Sequence, residues 1–163
     1  TLIVNSGGNR FVATGPAPNW PSDSTRIYVQ NGFAYRGAVD FNVSLLPLHS
    51  AIHKATLQLT IDPSHSQSNY FTADSLQVFF VGDDGATLTY LETLSESTRV
   101  GTTKVYQFSV GRFVQRWMRG ATSRRLVIAG FEEWSSLDLF SFYGAGADKA
   151  LKPKLTIYYS LIQ

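Results

Sequence analysis

With 163 residues, 44% of them apolar and 13% aromatic, the chain can bury a core of its own, which excludes disorder as the default and fits one domain. Its formal charge of +2 conceals an asymmetry: residues 1–98 carry four basic groups against eight acidic ones, whereas residues 99–163 carry ten against four, so the positive field belongs to the C-terminal part. The absence of cysteine excludes a disulfide framework and a thiolate metal site, and no apolar run approaches the ~20 residues of a membrane helix.

The chain opens TLIVNSGG without an initiator Met, so a processed protein or a domain of something larger is expected. Short strands are predicted near Leu2–Val4 and Phe11–Ala13, ahead of the turn-forming GPAPNWPSD. RIYVQ (Arg26–Gln30) is the next strand. In AVDFNV, Val39, Phe41 and Val43 alternate with Ala38, Asp40 and Asn42; in KATLQLTID, Ala55, Leu57, Leu59 and Ile61 alternate with polar neighbours. That period of two marks strands with one buried face. SLQVFFV (Ser75–Val81), KVYQFSV (Lys104–Val110), RLVIAG (Arg125–Gly130), LDLFSFY (Leu137–Tyr143) and KLTIYYSL (Lys154–Leu161) read the same way, separated by the turns LLPLH, IDPSHSQSN, GDDG and YGAGADKALKP.

One stretch departs from that period. In VGRFVQRWMRG, helical spacing puts Phe113, Val114, Trp117 and Met118 on one side and Arg112, Gln115, Arg116 and Arg119 on the other, so a short amphipathic helix is predicted near residues 111–119. Its apolar side is expected to plug one end of the fold, and its arginines to face solvent or an anion. Many short strands with one helix predict an all-β fold, an antiparallel β-sandwich of jelly-roll type, in a single domain over residues 1–163.

Chemistry is sparse. His49, His53 and His65 show no metal-ligand spacing, and the acid pairs Asp83-Asp84 and Glu132-Glu133 are sequence neighbours, which on a strand point to opposite faces. GDDG reads first as a hairpin turn, with Asp83 and Asp84 as candidate oxygen ligands for a structural calcium. Seven basic residues between Arg99 and Arg125 have no acid among them, but they carry no nucleic-acid-binding motif. The expectation is a chain with no catalytic residues, no nucleic-acid partner and no membrane insertion. An enzyme would need carboxylates brought together from distant strands, such as Asp40 with Asp62.

Three blocks carry a resemblance: RGAVDFNVSLLPLHSAIHKATLQLTI, YQFSVGRFVQRWMRGATSRRLVIAG and DLFSFYGAGADKALKPKLTIYY. In this order they resemble the DNRLRE-type domain, a family of carbohydrate-binding modules some of whose members bind alginate; the likeness covers Tyr35 to Tyr159 in patches. It implies a non-catalytic jelly-roll module attached to a secreted or cell-surface protein. The family's strand before the LP turn commonly reads basic-Ser-Leu-Leu-Arg-Phe-Asp; here Arg36 keeps the first cation, Asp40 replaces the second and Asn42 replaces the acid.

Sugar rings lay their C–H faces on aromatic rings, while polar and charged groups fix hydroxyls or carboxylates. The candidates are Trp20, Tyr70 and Trp134 in loops, Tyr28 and Tyr158 at outward strand positions, Arg36 and Asp40 on one strand face, and Arg112 and Arg116 on the helix. The expected function is polysaccharide binding, anionic chains included, by an extracellular or cell-surface module that targets or anchors a larger protein. The alternative is a structural or adhesion module whose exposed face meets neighbouring protein domains.

Overall fold

The computed structural model describes residues 1–5, 8–12, 24–32, 35–67, 75–100, 102–131 and 137–161. These form strands β1 (Leu2–Asn5), β2 (Gly8–Val12), β3 (Arg26–Gln30), β4 (Arg36–Asp40), β5 (Ser50–Thr60), β6 (Ser75–Val81), β7 (Leu88–Val100) and β8 (Thr103–Ser109), then helix α1 (Gly111–Met118), then β9 (Arg125–Gly130), β10 (Leu139–Tyr143) and β11 (Lys154–Leu161). Most were legible as alternating segments. The exception is β7, LTYLETLSESTRV, whose period is broken where Gln77 of β6 faces Leu94 and Phe79 faces Tyr90, so that extra β7 residues bulge across from Val78.

Nine strands form one antiparallel sheet in the order β1-β11-β5-β8-β7-β6-β9-β4-β2, and β10 pairs with β3 in a second. Strand β7 joins two halves: its start pairs with β6, and Ser97 to Val100 pair with β8. Consecutive strands therefore cross repeatedly between halves, as expected for an antiparallel β-sandwich of jelly-roll type. The β10–β3 pair is tied in by bridges Ile61↔Phe142, Gln67↔Leu139 and Gln30↔Tyr35. The layers share one core in which Leu57, Leu59, Phe80, Phe108, Leu126, Phe142 and Ile157 lose all contact with water. Tyr106 meets Phe140 and Phe142 edge-on at 6.2 and 5.6 Å.

Helix α1 closes one end, packing against β5. Phe113, Val114 and Trp117 are buried, and Phe113 stacks on Phe80 at 5.8 Å. Burying a Trp or Phe removes roughly 150–250 Å² from water, about 4–6 kcal/mol of gross transfer free energy each. Gly120, at φ 100, ends the helix in the left-handed conformation that glycine adopts without Cβ strain. At the layer contact Gly37 matters for a different reason: a Cβ there would lie 2.3 Å from Ile27 Cγ2, so β3 crosses β4 closely only because the side chain is missing.

Candidate functional site

At the end of β5 the chain turns through Asp-Pro-Ser-His-Ser-Gln, and the turn is fixed by one buried carboxylate. Asp62, 1% exposed, accepts from Arg26 Nε at 2.9 Å, from Ser64 N at 3.1 Å and Oγ at 2.5 Å, and from His65 Nδ1 at 2.9 Å. Burial alone would raise its pKa, but the hydrogen bonds from Ser64 and Arg26 together outweigh it, and the carboxyl sits below the ordinary aspartate value. The backbone follows: Asp62 N donates to Ser141 O at 2.7 Å, Ser66 Oγ to Asp62 O at 2.8 Å, and Ser141 N to Ser66 Oγ at 2.9 Å. Ser64, His65 and Asp62 do not form a relay. Hydroxyl and carboxylate both meet Nδ1, whereas a relay needs them on opposite ring nitrogens.

The pinned turn forms one wall of an open cleft of about 680 Å³. Ile61, Pro63, Ser66 and Gln67 come from the turn; Arg99, Thr102, Thr103 and Lys104 from the β7–β8 hairpin; Leu139, Phe140 and Tyr143 from β10, with Leu151 closing the margin. Gln67 and Leu139 exchange two backbone hydrogen bonds of 2.8 Å, and Ile61 N donates to Lys104 O at 3.1 Å, so the three walls are joined. Arg99 and Lys104 are directly opposite each other on neighbouring strands, and the Lys104 ammonium lies 5.7 Å from the centre of the Tyr106 ring. No acidic residue among the described residues lines the cleft. Sequence reading missed this site because it missed β7; RVGTTK, with a Gly-containing turn between two cations, was the available signal.

The residues singled out from sequence fall on several surfaces. Arg36, Ala38 and Asp40 do share a face of β4, but its centre is apolar: Ala38, Val81 and Val127 form a small buried cluster with Phe79 and Leu88 packed on it. The Arg36 guanidinium lies 5.8 Å from the Phe79 ring centre, and Asp40 accepts from its register partner Arg125 at 3.1 Å. That ion pair gives the acid at position 40 a structural partner. Tyr158 is 47% exposed on β11, opposite Lys54, as its outward position predicts. Tyr28 is a correction: it is 3% exposed, because β3 packs against β2, β4 and β9 besides pairing with β10, and both its faces are covered. Trp20, Tyr70 and Trp134 lie outside the described residues.

Arg112 and Arg116 are exposed on α1, the latter with its guanidinium 4.7 Å from the Phe80 ring centre. Asp83 Oδ1 accepts from Thr122 N at 2.7 Å and from Ser123 N and Thr122 Oγ1 at 2.9 Å, tying the β6–β7 turn to the segment after the helix. Asp84 accepts from the Thr87 hydroxyl, from Thr87 N at 2.9 Å and from Ala86 N at 3.0 Å, which lowers its pKa to about 2. The two carboxylates thus hold the hairpin turn and its neighbour. Among the described residues no group of three or more His, Asp or Glu side chains is placed to hold a metal ion. Asp40 and Asp62 are each paired with a different arginine.

No protein-family model matches the chain, and a search of curated proteins finds no match.

Proposed function

We propose that the protein is a non-catalytic polysaccharide-binding module, extracellular or at the cell surface, that targets or anchors a larger protein, and that the cleft beside Asp62 holds part of the sugar chain. The observation that supports this most is the pairing of Arg99 with Lys104 at the cleft wall. Like charges directly opposite on neighbouring strands destabilise a sheet, and a bound anionic group would be attracted by both cations. Around them stand Tyr143, whose half-buried ring reaches the cleft, and Gln67, Thr102 and Thr103, which offer amide and hydroxyl partners. This is the mixture a sugar ring needs. The resemblance to DNRLRE-type modules points the same way, but through β4 rather than this cleft.

The test is binding of the protein to a glycan panel containing alginate, pectin and neutral β-glucans, at low and moderate salt, beside an Arg99→Thr variant. The expected result is a saturable hit that weakens roughly tenfold in the variant, the size of a lost charge-assisted hydrogen bond. A hit that the variant leaves unchanged removes the cleft from the reading, and a blank panel removes the reading itself. A second reading, a structural or adhesion module contacting protein neighbours, draws on Leu45 and Leu48, exposed in the loop between β4 and β5.

A further inference from the structure

We propose that the groove between the 41–48 loop and the C-terminal end of α1 docks an acidic protein segment bearing leucine-like side chains. The groove measures about 540 Å³; Phe41, Leu46 and Trp117 form its buried floor, and Leu48, Met118 and Arg124 stand at its margin. Leu48 is 79% exposed and Leu45, in the same loop, 78%, the greatest exposures of any large apolar side chain among the described residues. A lone exposed leucine needs no explanation, but Leu48 at the margin of an apolar groove, with Leu45 exposed three residues earlier on the same loop, offers apolar surface that a partner can cover.

The loop holds that arrangement before any partner arrives. Ser44 N donates to Asn42 Oδ1 at 2.9 Å, Leu46 N to Val43 O at 2.9 Å, and Ser50 Oγ to Pro47 O at 2.6 Å. His49 stands at φ 63, a conformation uncommon for a residue with a Cβ and kept only where the surroundings determine it. A loop ordered in advance loses little entropy on binding.

Charge selects the occupant. Residues 41–50 and 102–131 contain no Asp or Glu, while Arg124 lines the groove and Arg119, exposed, lies between the lining residues Met118 and Gly120. Asp83, which reaches this segment, keeps its negative charge while bonded to Thr122 and Ser123, and the two arginines outnumber it. An acidic segment gains from that field and a basic one is repelled. An anionic bilayer would feel the same charge, but a flat membrane would meet only the protruding Leu45 and Leu48 and would leave the concave groove behind them empty, whereas a chain segment fills it; vesicle competition separates the two. The proposal is independent of glycan binding. The groove precedes β5 and the cleft follows it, they share no lining residue, and at ~3.3 Å per residue the strand spans roughly 36 Å.

The experiment is fluorescence anisotropy of labelled short peptides with the whole protein: one alternating Glu and Leu, one Gln and Leu, one Lys and Leu, with phosphatidylglycerol vesicles as competitor. Each is read for the parent protein, for a double variant Leu45→Asn with Leu48→Asn, and for Arg119→Glu. The expected result is saturable, salt-sensitive binding of the Glu/Leu peptide that weakens about tenfold or more in both variants, with the Gln/Leu peptide weaker and the Lys/Leu peptide weakest. No saturable Glu/Leu binding, equal binding of the Lys/Leu peptide, indifference to the leucine substitutions, or displacement of peptide by vesicles would each overturn it. The substituted side chains are exposed, so an unchanged unfolding midpoint certifies the variants. Their unchanged response to the glycan panel separates this outcome from that of the cleft.

Discussion

Gly37→Ala tests a close approach between the β3–β10 pair and the large sheet. The added Cβ would lie 2.3 Å from Ile27 Cγ2, 3.1 Å from Tyr28 O and 3.3 Å from Val29 Cγ2. Carbon atoms rest at about 3.5–4.0 Å, so the Ile27 methyl must retreat by more than 1 Å. Ile27 is fully buried and cannot swing into water, and Tyr28 O belongs to the backbone, so the relief must come from β3 moving off β4. Such overpacking costs typically about 1–3 kcal/mol, and the smaller unfolded-state entropy of alanine returns about 0.4–1 kcal/mol. Because the added Cβ meets backbone as well as a buried methyl, the cost falls in the upper part of that range and the net expectation is a loss of about 1–2 kcal/mol. In urea unfolding followed by tryptophan fluorescence, with a slope of about 2 kcal/mol/M, the midpoint should fall by roughly 0.5–1 M. Ile27→Ala, costly alone, should cost less when combined with Gly37→Ala, because the methyl group in conflict is gone. A midpoint equal to or above that of the parent chain would refute the packing of β3 on β4.

Asp62, Asp83 and Asp84 all have pKa values below the ordinary 3.8, so the stability they contribute is complete above about that pH and is lost as pH falls through their folded values, Asp84's being about 2. The melting temperature should therefore drop between pH 4 and 2, and less steeply in Asp84→Asn; an identical slope in that variant contradicts the assignment. Trp117→Ala should cost about 3–5 kcal/mol in urea unfolding, whereas Arg112→Ala on the solvent side of the same helix should stay within about 0.5 kcal/mol. Similar effects of the two would mean that α1 is turned the wrong way.

How much of this was legible in sequence depended on whether a single physical pattern governed each residue. The helix was legible because its apolar residues recur at helical spacing, and Phe113, Val114 and Trp117 are buried as that spacing requires. Strands with one wet face were legible too, and Tyr158 stands out from β11 as alternation predicts. Alternation failed for Tyr28 because it records that neighbouring side chains point to opposite faces, without recording that both faces of β3 are covered. It failed for β7 because the bulge opposite Val78 shifts the register within the strand. The same failure hid the cleft, since Arg99 and Lys104 are five positions apart in sequence and become neighbours only once β7 and β8 are paired. Likewise, Asp40 looked like a charge reversal on a ligand face until its pairing with β9 placed Arg125 across from it.

The Arg99 and Lys104 pair separates a functional from a structural origin of the cleft. The direct interaction of the two cations opposes folding: a cross-strand like-charge pair costs a few tenths of a kcal/mol to about 1 kcal/mol. The Lys104 ammonium has the Tyr106 ring beneath it, whereas Arg99 is exposed, so Arg99→Thr removes the repulsion without opening the core and places a strand-forming residue on β7. If the cations are kept for a ligand, the variant should unfold at slightly higher urea, by about 0.2–1 kcal/mol and most visibly at low salt, where charges are least screened, while glycan binding falls. Stability and binding then move in opposite directions, as expected of a site that works against the scaffold carrying it. If Arg99 is instead part of the scaffold, the variant should lose stability and leave binding as it was. That outcome would exclude the cleft as the sugar site.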